Sequence, residues 1–543
     1  MTGVQRLRLG LLLSVVLIAA LAIGAGLVRA AFYQASAAPA IKGDTFAAPA
    51  AAPAGTTGQC AGQPAQATRE LRGMWLTTVY NLDFPSKPGL SEAQVKAEYL
   101  GWLDVAVAQN HNAIFVHVRP SGDAFWPSDY APWSNWLTGR FDGRSPGWDP
   151  MAFMVTEAHA RGLQFHAWFN PYRGTQPAPG GGVGTDAAKL APNHPLRLHP
   201  EWRIAYPSGK TGRFYFDPGI PEARKFVEDS MLEAVQKYDV DGVHFDDFFY
   251  PYPEGSGEDF PDAASFAKYG AGKAKADWRR ENVNTLVREM HERIQQIKPW
   301  VSFGISPFGI WRNRTTDPQG SATSGLESYD TIYADTRKWV QNGWLDYIAP
   351  QLYWTIGFDK ADYTTLLKWW TTLMKGTNVQ LYIGMADYRV GEKGDWSRPA
   401  MLDQEMTLNR QYGVQGEIHF SAAQVRGDKQ GAVTRYRKAH YASPALLPRL
   451  ARHAATATPA TPQLTAARKD ATGKLVFTQS GVATTNWALY RTTGGPAALV
   501  ATGRTGAEIA DPHPAANSTY CLSAVDRTGT ESPLSPALTP PAA

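Results

Sequence analysis

Eight short apolar segments, each followed by a polar turn and a helical pattern, fill the middle of this chain. They are LRGMWLTTVY (71 to 80), AIFVHVRP (113 to 120), LQFHAWFNPYR (163 to 173), GVHFDDF (242 to 248), VSFGISPFG (301 to 309), YIAPQLYW (347 to 354), VQLYIGMADYR (379 to 389) and GEIHFSA (416 to 422). Strands that alternate with helices favour a parallel α/β sheet, and eight such units over about 350 residues favour a closed (β/α)8 TIM barrel. An open doubly wound sheet is the alternative, but no glycine-rich dinucleotide fingerprint supports it.

The residues on either side of the barrel differ from it in composition. Two arginines precede an uncharged run from 9 to 28, so residues 1–31 are predicted to be an export signal peptide or an N-terminal membrane anchor. Residues 32–68 and 446–461 are predicted linkers on either side of a barrel domain of residues 69–445. The protein is therefore expected in the cell envelope or outside the cell, either secreted or tethered to a membrane.

Composition and motifs exclude several classes of function. The net charge is +4, with basic and acidic residues mixed along 543 residues, so the basic footprint of a nucleic-acid binder is missing. No P-loop, nucleophile elbow, HExxH or paired-cysteine motif occurs, and we expect no cofactor and no metal ion. A zinc hydrolase built on the histidines is a minor alternative. Cys60 and Cys521 are the only cysteines, and the sequence leaves their pairing open.

Alternation of side chains along each strand predicts which residues line the barrel. If the apolar positions face the helices, the outward residues are Val116, Val118, Val243, Phe245, Ile305, Ile348, Leu352, Ile418 and Phe420. The alternate positions are polar, namely His117, Arg119, Trp168, Asn170, His244, Asp246, Ser306, Gln351, Tyr353, His419 and Ser421. Unpaired buried polar groups cost roughly 1 to 3 kcal/mol each, so this ring is expected to line a wet site at the C-terminal strand ends.

Asp246 is the carboxylate that this alternation selects. It ends the fourth segment, facing inward one layer above His244, where a carboxyl group suits acid, base or nucleophile chemistry at a glycosidic bond. The structural alternative is an ion pair between Asp246 and Arg119. Asp247 points outward by the same rule and is a helix cap or loop anchor by default, unless the strand ends one residue early.

A hydrolase needs a second carboxylate, and the candidates for it are Asp123, Asp387 and Asp247. Asp123 lies among tryptophans in RPSGDAFWPSDYAPWSNWLTG (119 to 139), although a turn hydrogen bond explains it equally well. Aromatic residues make up 12% of the chain, which suits sugar stacking or simply a large aromatic core. The predicted substrate-binding residues are Arg119, Trp126, Trp168, Asn170, Arg173, His244, Tyr250, Gln351, Tyr353, Trp354 and Tyr388.

Seven blocks of the barrel carry a family resemblance. In order they are LRGMWLTTVYNLDFPS, VHVRPSGDAFWPS, HAWFNPYR, FDPGIPEARKFV, YDVDGVHFDDFFYPYP, FGISPFGIWRN and DYIAPQLYW. Over about residues 69 to 440 the chain resembles the glycosyl-hydrolase-like family 10 proteins, bacterial envelope proteins that include a divisome-associated hydrolase of denuded peptidoglycan strands. The resemblance implies a TIM barrel that cleaves glycosidic bonds, with cell-wall glycan the leading substrate. Its blocks fall on Arg119, Asp123, Asn170, Arg173, Asp246, Asp247, Gln351 and Tyr353.

The tail, residues 462–541, resembles a fibronectin type III domain, a small all-β sandwich. The stretch STYCLSAVDRTGTESPLS matches a late-strand signature and places Tyr520 for a tyrosine corner. Such a domain would act as a spacer or contact envelope protein partners. The sequence thus predicts a glycoside hydrolase that cleaves an envelope or extracellular polysaccharide, foremost peptidoglycan, by carboxylate acid/base catalysis. A non-catalytic carbohydrate-binding barrel and an envelope scaffold protein are the alternatives.

Overall fold

The computed structural model describes residues 67–178, 181–254, 257–453, 457–481 and 484–540. The predicted signal or anchor segment, nearly all of the first linker and Cys60 lie outside these ranges. The strands of the main sheet are β1 (Leu71–Leu76), β2 (Ala113–Arg119), β3 (Gln164–Phe169), β6 (Gly242–Phe245), β7 (Ser302–Ile305), β8 (Tyr347–Ile348), β9 (Gln380–Leu381), β10 (Ile383–Met385) and β11 (Gly416–His419). A separate hairpin inserted after β3 consists of β4 (Arg203–Tyr206) and β5 (Arg213–Phe216).

The main sheet is parallel and closes into a barrel. Its strand order is β10-β11-β1-β2-β3-β6-β7-β8-β9. β9 and β10 stand at the two ends of that order, yet only Tyr382 separates them in the chain. They are two halves of the seventh predicted strand, so the nine segments fill eight positions round the barrel. The predicted (β/α)8 TIM barrel is confirmed.

Helices surround this barrel. The longer ones are Glu92–Ala108, Pro150–Ala160, Pro221–Lys237, Lys275–Ile297, Tyr363–Leu373, Met401–Gln411 and Ala432–His440. Shorter turns of helix are Asn135–Thr138, Pro195–Leu198, Ala263–Tyr269, Ser328–Thr331, Thr336–Gln341 and Ala422–Gly427. Local sequence fixes their starts: Ser91 and Gln94 form a capping box, and the Asp149 side chain caps the helix that begins with Pro150. Among the described residues, no helix is long and apolar enough to cross a bilayer.

Two apolar layers hold the barrel. The outer layer packs strand residues such as Val116, Val243 and Ile305 against the helices, as alternation predicts. The inner layer fills the barrel with Leu71, Trp75, Ala113, Phe115, Trp168, Tyr347, Ala349, Tyr382 and Ile418. Side chains from several strands thus interdigitate inside a packed interior rather than a pore.

The predicted faces of the last barrel strand are wrong. Ile418 belongs to the inner layer and Phe420 packs against that layer, whereas both were expected to face the helices. His419 was expected inside the barrel. It instead stacks on Tyr436 of the last helix, and its Nδ1 lies 2.9 Å from the Asp387 carboxylate. Ile418 packs in the apolar interior, whereas His419 contacts Tyr436 and Asp387 on the outer side of the strand. The apolar face of this strand therefore points inward.

The C-terminal strands form two antiparallel sheets. The strands are β12 (Gln463–Lys469), β13 (Leu475–Ser480), β14 (Asn486–Thr492), β15 (Ala498–Arg504), β16 (Ile509–Asp511) and β17 (Thr519–Val525). One sheet has the order β12-β13-β16 and the other β15-β14-β17. The Tyr520 hydroxyl donates to the Asp511 carboxylate at 3.0 Å, so it does not make the backbone bond of a tyrosine corner. The fibronectin type III resemblance itself stays a prediction.

This C-terminal domain covers the N-terminal end of the barrel. Arg504 pairs with Asp241, which directly precedes β6, and Arg69 pairs with Glu531 at 2.6 Å. Leu446 is buried and bridges to Arg69, so the first part of the predicted linker 446–461 is packed structure rather than a free tether. The domain therefore lies opposite the C-terminal strand ends.

Candidate active site

Asp246 stands immediately beyond the end of β6, inside the barrel mouth. Its side chain is 5% exposed, and its Oδ2 accepts hydrogen bonds from Trp168 Nε1 at 3.2 Å and Asn170 Nδ2 at 3.3 Å. Its Oδ1 accepts from the Phe248 backbone N–H at 3.2 Å. Three N–H donors from two neighbouring strand ends thus fix this carboxyl group.

Asp247 joins Asp246 at the same site. Its carboxylate, 6% exposed, accepts a hydrogen bond from the Tyr252 hydroxyl and lies beside the Gln351 amide. The default expectation that Asp247 faces outward as a cap or anchor is wrong, because β6 ends at Phe245 and the alternation of a strand stops there. The barrel mouth therefore holds two carboxylates from consecutive residues.

Burial and mutual repulsion govern the charge on this pair. Burial, then the neighbouring charge of Asp247, raise the pKa of Asp246 to about 7, while Arg173 opposes the shift. Burial likewise raises the pKa of Asp247. Two neighbouring carboxylates in a buried site do not both ionise cheaply, so ionisation of one opposes ionisation of the other.

Arg173 is the cation whose charge acts on both carboxylates. Its guanidinium lies over the Phe248 ring, 4.0 Å from the centroid, and is largely buried. Its charge lowers the pKa of both Asp246 and Asp247. Within the described ranges it forms no ion pair within 4.0 Å, and its Nε has no hydrogen-bond partner. A bound ligand can therefore meet an unneutralised cation here.

Arg119 does not pair with Asp246. Its Nη1 donates to the backbone oxygens of Asn170 at 2.7 Å and Pro171 at 3.1 Å. The side chain is 1% exposed, and burial lowers its pKa to about 10. The ion-pair explanation for Asp246 is therefore wrong, and Arg119 instead positions the segment that carries Asn170.

His244 and Trp168 lie in the layer beneath the carboxylates. The His244 Nε2 accepts from Trp75 Nε1 at 3.0 Å, and its Nδ1 lies 3.0 Å from the Tyr347 hydroxyl. Burial lowers the pKa of His244 well below its usual value, so it is neutral. Trp168 stacks on His117 at 4.0 Å between ring centroids. The structure makes His244 a brace of the interior, contrary to its predicted role in binding substrate.

The other two candidate carboxylates, Asp123 and Asp387, contact other parts of the protein. Asp387 lies 2.9 Å from His419 Nδ1, in the outer layer of the last strand. Asp123 accepts from the Ser121 backbone N–H at 2.9 Å and borders a separate cavity of about 50 Å³. Within the described residues, neither forms a hydrogen bond with Asp246. Asp247 is the candidate carboxylate that adjoins Asp246 in the structure, and the catalytic roles of Asp123, Asp387 and Asp247 stay predictions.

Two predicted sugar platforms are buried away from the mouth. Trp126 is 1% exposed, and its indole donates to Glu233 on a surrounding helix at 2.9 Å. Tyr250 is also 1% exposed, with its hydroxyl against Asn282. Both predictions are wrong because these aromatics complete the packing between loops and helices.

Half-buried aromatic side chains surround the mouth. Those predicted are Tyr353, Trp354 and Tyr388; those missed are Phe248, Phe308 and Phe420. Tyr353 contacts Tyr388 and Phe420, with ring centroids 5.6 and 6.3 Å apart, and Phe308 contacts Trp354 at 5.4 Å. Phe420 was missed because its strand face was reversed, although aromatics that directly follow strand ends were a readable signal. Tyr252, the donor to Asp247, was missed as well.

No metal-ligand cluster is found among the residues that the structure describes. A closed parallel barrel, a buried carboxylate pair and an aromatic mouth define a barrel enzyme of the carbohydrate-hydrolysing class. Residues 70–399 match the glycosyl hydrolase-like 10 family, and this chain belongs to that family.

Curated relatives agree with this assignment. The chain is 44% identical over 488 residues to glycosyl hydrolase YngK of Bacillus subtilis, covering 86% of this chain and 93% of that protein. It is 43% identical over 354 residues to glycosyl hydrolase DigH of Escherichia coli K12, covering 63% and 78% respectively. This chain is therefore a glycoside hydrolase with a carbohydrate substrate, and the alternatives of a silent binding barrel and a scaffold protein are set aside.

Among solved structures, the chain is similar to α-L-fucosidase isoenzyme 2 from Paenibacillus thiaminolyticus. The TM-score is 0.43 at 14% identity, covering 69% of this chain and 49% of that one. The PgaB (BpsB) glycoside hydrolase domain from Bordetella bronchiseptica gives a TM-score of 0.42 at 14% identity, covering 68% and 98%. TM-scores this low carry no argument about function.

Proposed function

We propose that this enzyme hydrolyses glycosidic bonds in bacterial cell-wall glycan strands, by carboxylate acid/base catalysis, after export to the envelope or the extracellular space. The observation that carries the proposal is the buried pair Asp246 and Asp247 at the C-terminal end of β6, inside the barrel mouth. The resemblance of the barrel to envelope glycan hydrolases supports the choice of substrate, and the charge-free run from 9 to 28 supports export.

In this proposal Asp246 transfers the proton. Its protonated form donates its proton to the glycosidic oxygen as the C1–O bond breaks, water supplies the hydroxyl group that C1 gains, and the remaining proton of that water returns to the carboxylate pair. Its raised pKa keeps a large protonated fraction at neutral pH, which an ordinary aspartate lacks. Trp168 and Asn170 hold the group in position throughout.

The aromatic mouth provides the surface for a sugar polymer. Tyr353, Trp354 and Tyr388 are half-buried, so each keeps a ring surface that can stack on a pyranose. The C-terminal domain occupies the other end of the barrel, so the polymer meets the barrel alone. That domain and the N-terminal segment are proposed to serve placement in the envelope, through protein partners or a membrane tether.

The test is product release from purified glycan strands, with and without stem peptides, by the full chain and by Asp246→Asn. We expect cleavage by the parent and a loss of about 10²- to 10⁴-fold in the variant, the usual contribution of a general acid. Circular dichroism controls for folding. Equal rates for the two proteins would contradict the role of Asp246. Cleavage of cellulose or xylan, but not of glycan strands, would contradict the substrate.

A further inference from the structure

A cavity of about 50 Å³ lies between two loops that follow neighbouring strands of the barrel. The first loop runs from the end of β2 through Asp123 and Trp133, and the second, which follows β3, enters the cavity wall at Gly174. The Gly122 N–H donates to the Gly174 oxygen at 3.2 Å and ties the two loops together. The cavity therefore lies at the C-terminal face of the barrel, where barrel enzymes bind their substrates.

One residue, Arg173, adjoins both this cavity and the carboxylate pair. Its guanidinium lies 4.0 Å from the centre of the Phe248 ring, and Phe248 directly follows Asp247 in the chain. The three residues after Arg173, 174–176, form one wall of the cavity. A polymer bound at the carboxylates therefore passes close to this cavity when it runs toward the β2 and β3 side of the mouth.

The Asp123 carboxylate borders the cavity without an ion pair. Asp123 is 7% exposed, and its carboxylate accepts from the Ser121 N–H at 2.9 Å and lies beside the Ser134 hydroxyl. Arg119 acts on it electrostatically, but in the ranges that the structure describes no cation lies within ion-pair distance of it. A carboxylate has about four acceptor sites, so Asp123 keeps capacity for a donor inside the cavity.

The neighbouring polar side chains of the wall are already hydrogen-bonded. His194 Nε2 donates to the Gly174 oxygen at 3.3 Å, and its Nδ1 accepts from the Leu196 N–H at 3.1 Å. Burial lowers the pKa of His194 to about 3, so the ring is neutral and does not compensate the charge of Asp123. The Gln176 amide is held at both its oxygen and its nitrogen by neighbouring residues. Asp123 is therefore the group in this wall that is left to select a ligand.

The size and charge of the cavity define the group that it accepts. One water needs about 10 to 15 Å³, so the cavity has room for about three to five non-hydrogen atoms. That is one substituent of a sugar ring rather than the whole ring. Asp123 repels an anion, and Arg140 and Lys189 at the rim repel a cation. A neutral hydrogen-bond donor, a hydroxyl or an amide N–H, fits both conditions.

Aromatic side chains at the rim can hold the ring that carries this substituent. Trp133 is half-buried and Phe141 is 43% exposed, and both line the cavity. Aromatic faces suit the apolar faces of pyranose rings, whereas the carboxylate below suits a polar substituent. The rim and the floor of the cavity thus match two parts of one sugar.

We propose that this cavity is a second sugar-binding subsite, in which Asp123 accepts a hydrogen bond from a hydroxyl or amide N–H of a sugar whose ring lies on Trp133 and Phe141. This inference rests on the proposed function, because it needs a polymer that continues beyond the bond cleaved at Asp246. It makes Asp123 a substrate-binding residue. It also predicts that long strands bind more tightly than short fragments.

The first test compares long peptide-free glycan strands with the shortest fragment that the parent cleaves. Asp123→Asn keeps the size of the side chain but removes its charge, and Trp133→Ala removes part of the rim. On long strands we expect each variant to raise KM by about 10-fold with kcat within about 3-fold, and on the short fragment to change KM by less than about 2-fold. Asp129→Asn, on the same loop with its side chain 89% exposed, is the matched control and should behave as the parent.

The possible outcomes separate this inference from the proposed function. An unchanged KM on long strands in either folded variant, or an equal rise on both substrates, would overturn the inference. So would a fall in kcat on both substrates in Asp123→Asn, since Asp123 would then act at the reacting bond. Each of these results leaves the proposed function standing. A parent protein that cleaves no glycan strand of any length would overturn the proposed function itself.

The second test measures binding without cleavage. Fluorescently labelled peptide-free strands are titrated with Asp246→Asn, alone and combined with Asp123→Asn or with Asp129→Asn, and Kd is read from anisotropy. We expect the addition of Asp123→Asn to raise Kd by about 10-fold and the addition of Asp129→Asn to leave it within about 2-fold. Equal Kd values for the two double variants would overturn the inference, whereas cleavage of the same strands by the parent would still uphold the proposed function.

Discussion

The two ends of strand β6 carry the same residue type in opposite electrostatic states. At its start, Asp241 pairs with Arg504 and His159 and accepts from the Phe165 N–H, and these partners hold the pKa of Asp241 well below its usual range despite burial. At its end, Asp246 has no cation within ion-pair distance among the residues that the structure describes, and burial and the neighbouring Asp247 raise its pKa to about 7. The closed end of the barrel neutralises its charges for stability, whereas the mouth keeps an incompletely compensated pair for chemistry.

The largest expected effect comes from one substitution made at both ends. Asp246→Asn should lower product release by about 1000-fold without loss of stability. Asp241→Asn should leave product release within about twofold but lower the free energy of unfolding by about 3 kcal/mol, because it breaks a buried ion pair. Product assays and urea unfolding on both variants make the comparison. Activity loss in folded Asp241→Asn would show that the two ends are coupled.

The same two residues should respond to pH in opposite directions. The contribution of Asp241 to stability is present above its unfolded pKa of about 4 and lost as the pH falls below it. For Asp246 the folded pKa is the higher one, so stability falls as the pH rises from about 4 to about 7. Asp246→Asn should therefore match the parent at pH 4 and exceed it by on the order of 2 kcal/mol at pH 8. Unfolding curves at both pH values check this.

A smaller effect is expected from the cation at the mouth. Arg173 lowers the pKa of Asp246, so Arg173→Gln should raise that pKa further. The alkaline limb of the kcat/KM profile should then move to higher pH by about 0.5 to 1 unit. A limb that stays in place while kcat/KM falls uniformly would mean that Arg173 only binds substrate.

The smallest effect is expected at the rim of the closed end. Arg527 pairs with Asp239 there, but the two side chains are 30% and 43% exposed. Solvent screens such a pair, so Arg527→Gln should cost at most about 0.5 to 1 kcal/mol and less still in high salt. Thermal unfolding at two salt concentrations measures it, with Arg504→Gln as the buried counterpart. Equal losses of stability in the two variants would show that the exposed and the buried ion pair contribute equally to this interface.

Sequence periodicity was sufficient for the barrel and for the position of Asp246. Both depend on local alternation in strands such as β2 and β6, where apolar residues do face the helices. The same rule failed where regular structure stops: Asp247 lies beyond the end of β6, and β11 reverses its faces to suit a largely apolar interior. The periodicity rule assumes that a strand continues and that its polar face points into the barrel. The first assumption fails at the end of β6, and the second fails along β11.

Side chains whose environment is set by distant segments were not predictable in this way. Trp126 and Tyr250 follow strand ends as platform residues would, but helices far along the chain cover them. Asp387 was assigned to the site because it ends a strand, yet His419 draws it outward. In each case a tertiary partner decides the role, and such a partner leaves no mark on the neighbouring sequence.

The chain enters the barrel at Arg69, beside Leu446 and Glu531, at the end that the C-terminal domain covers. The proposed N-terminal anchor would therefore join the barrel at the end opposite the carboxylates. The predicted linker 32–68 would then set how far the barrel mouth can stand from the membrane.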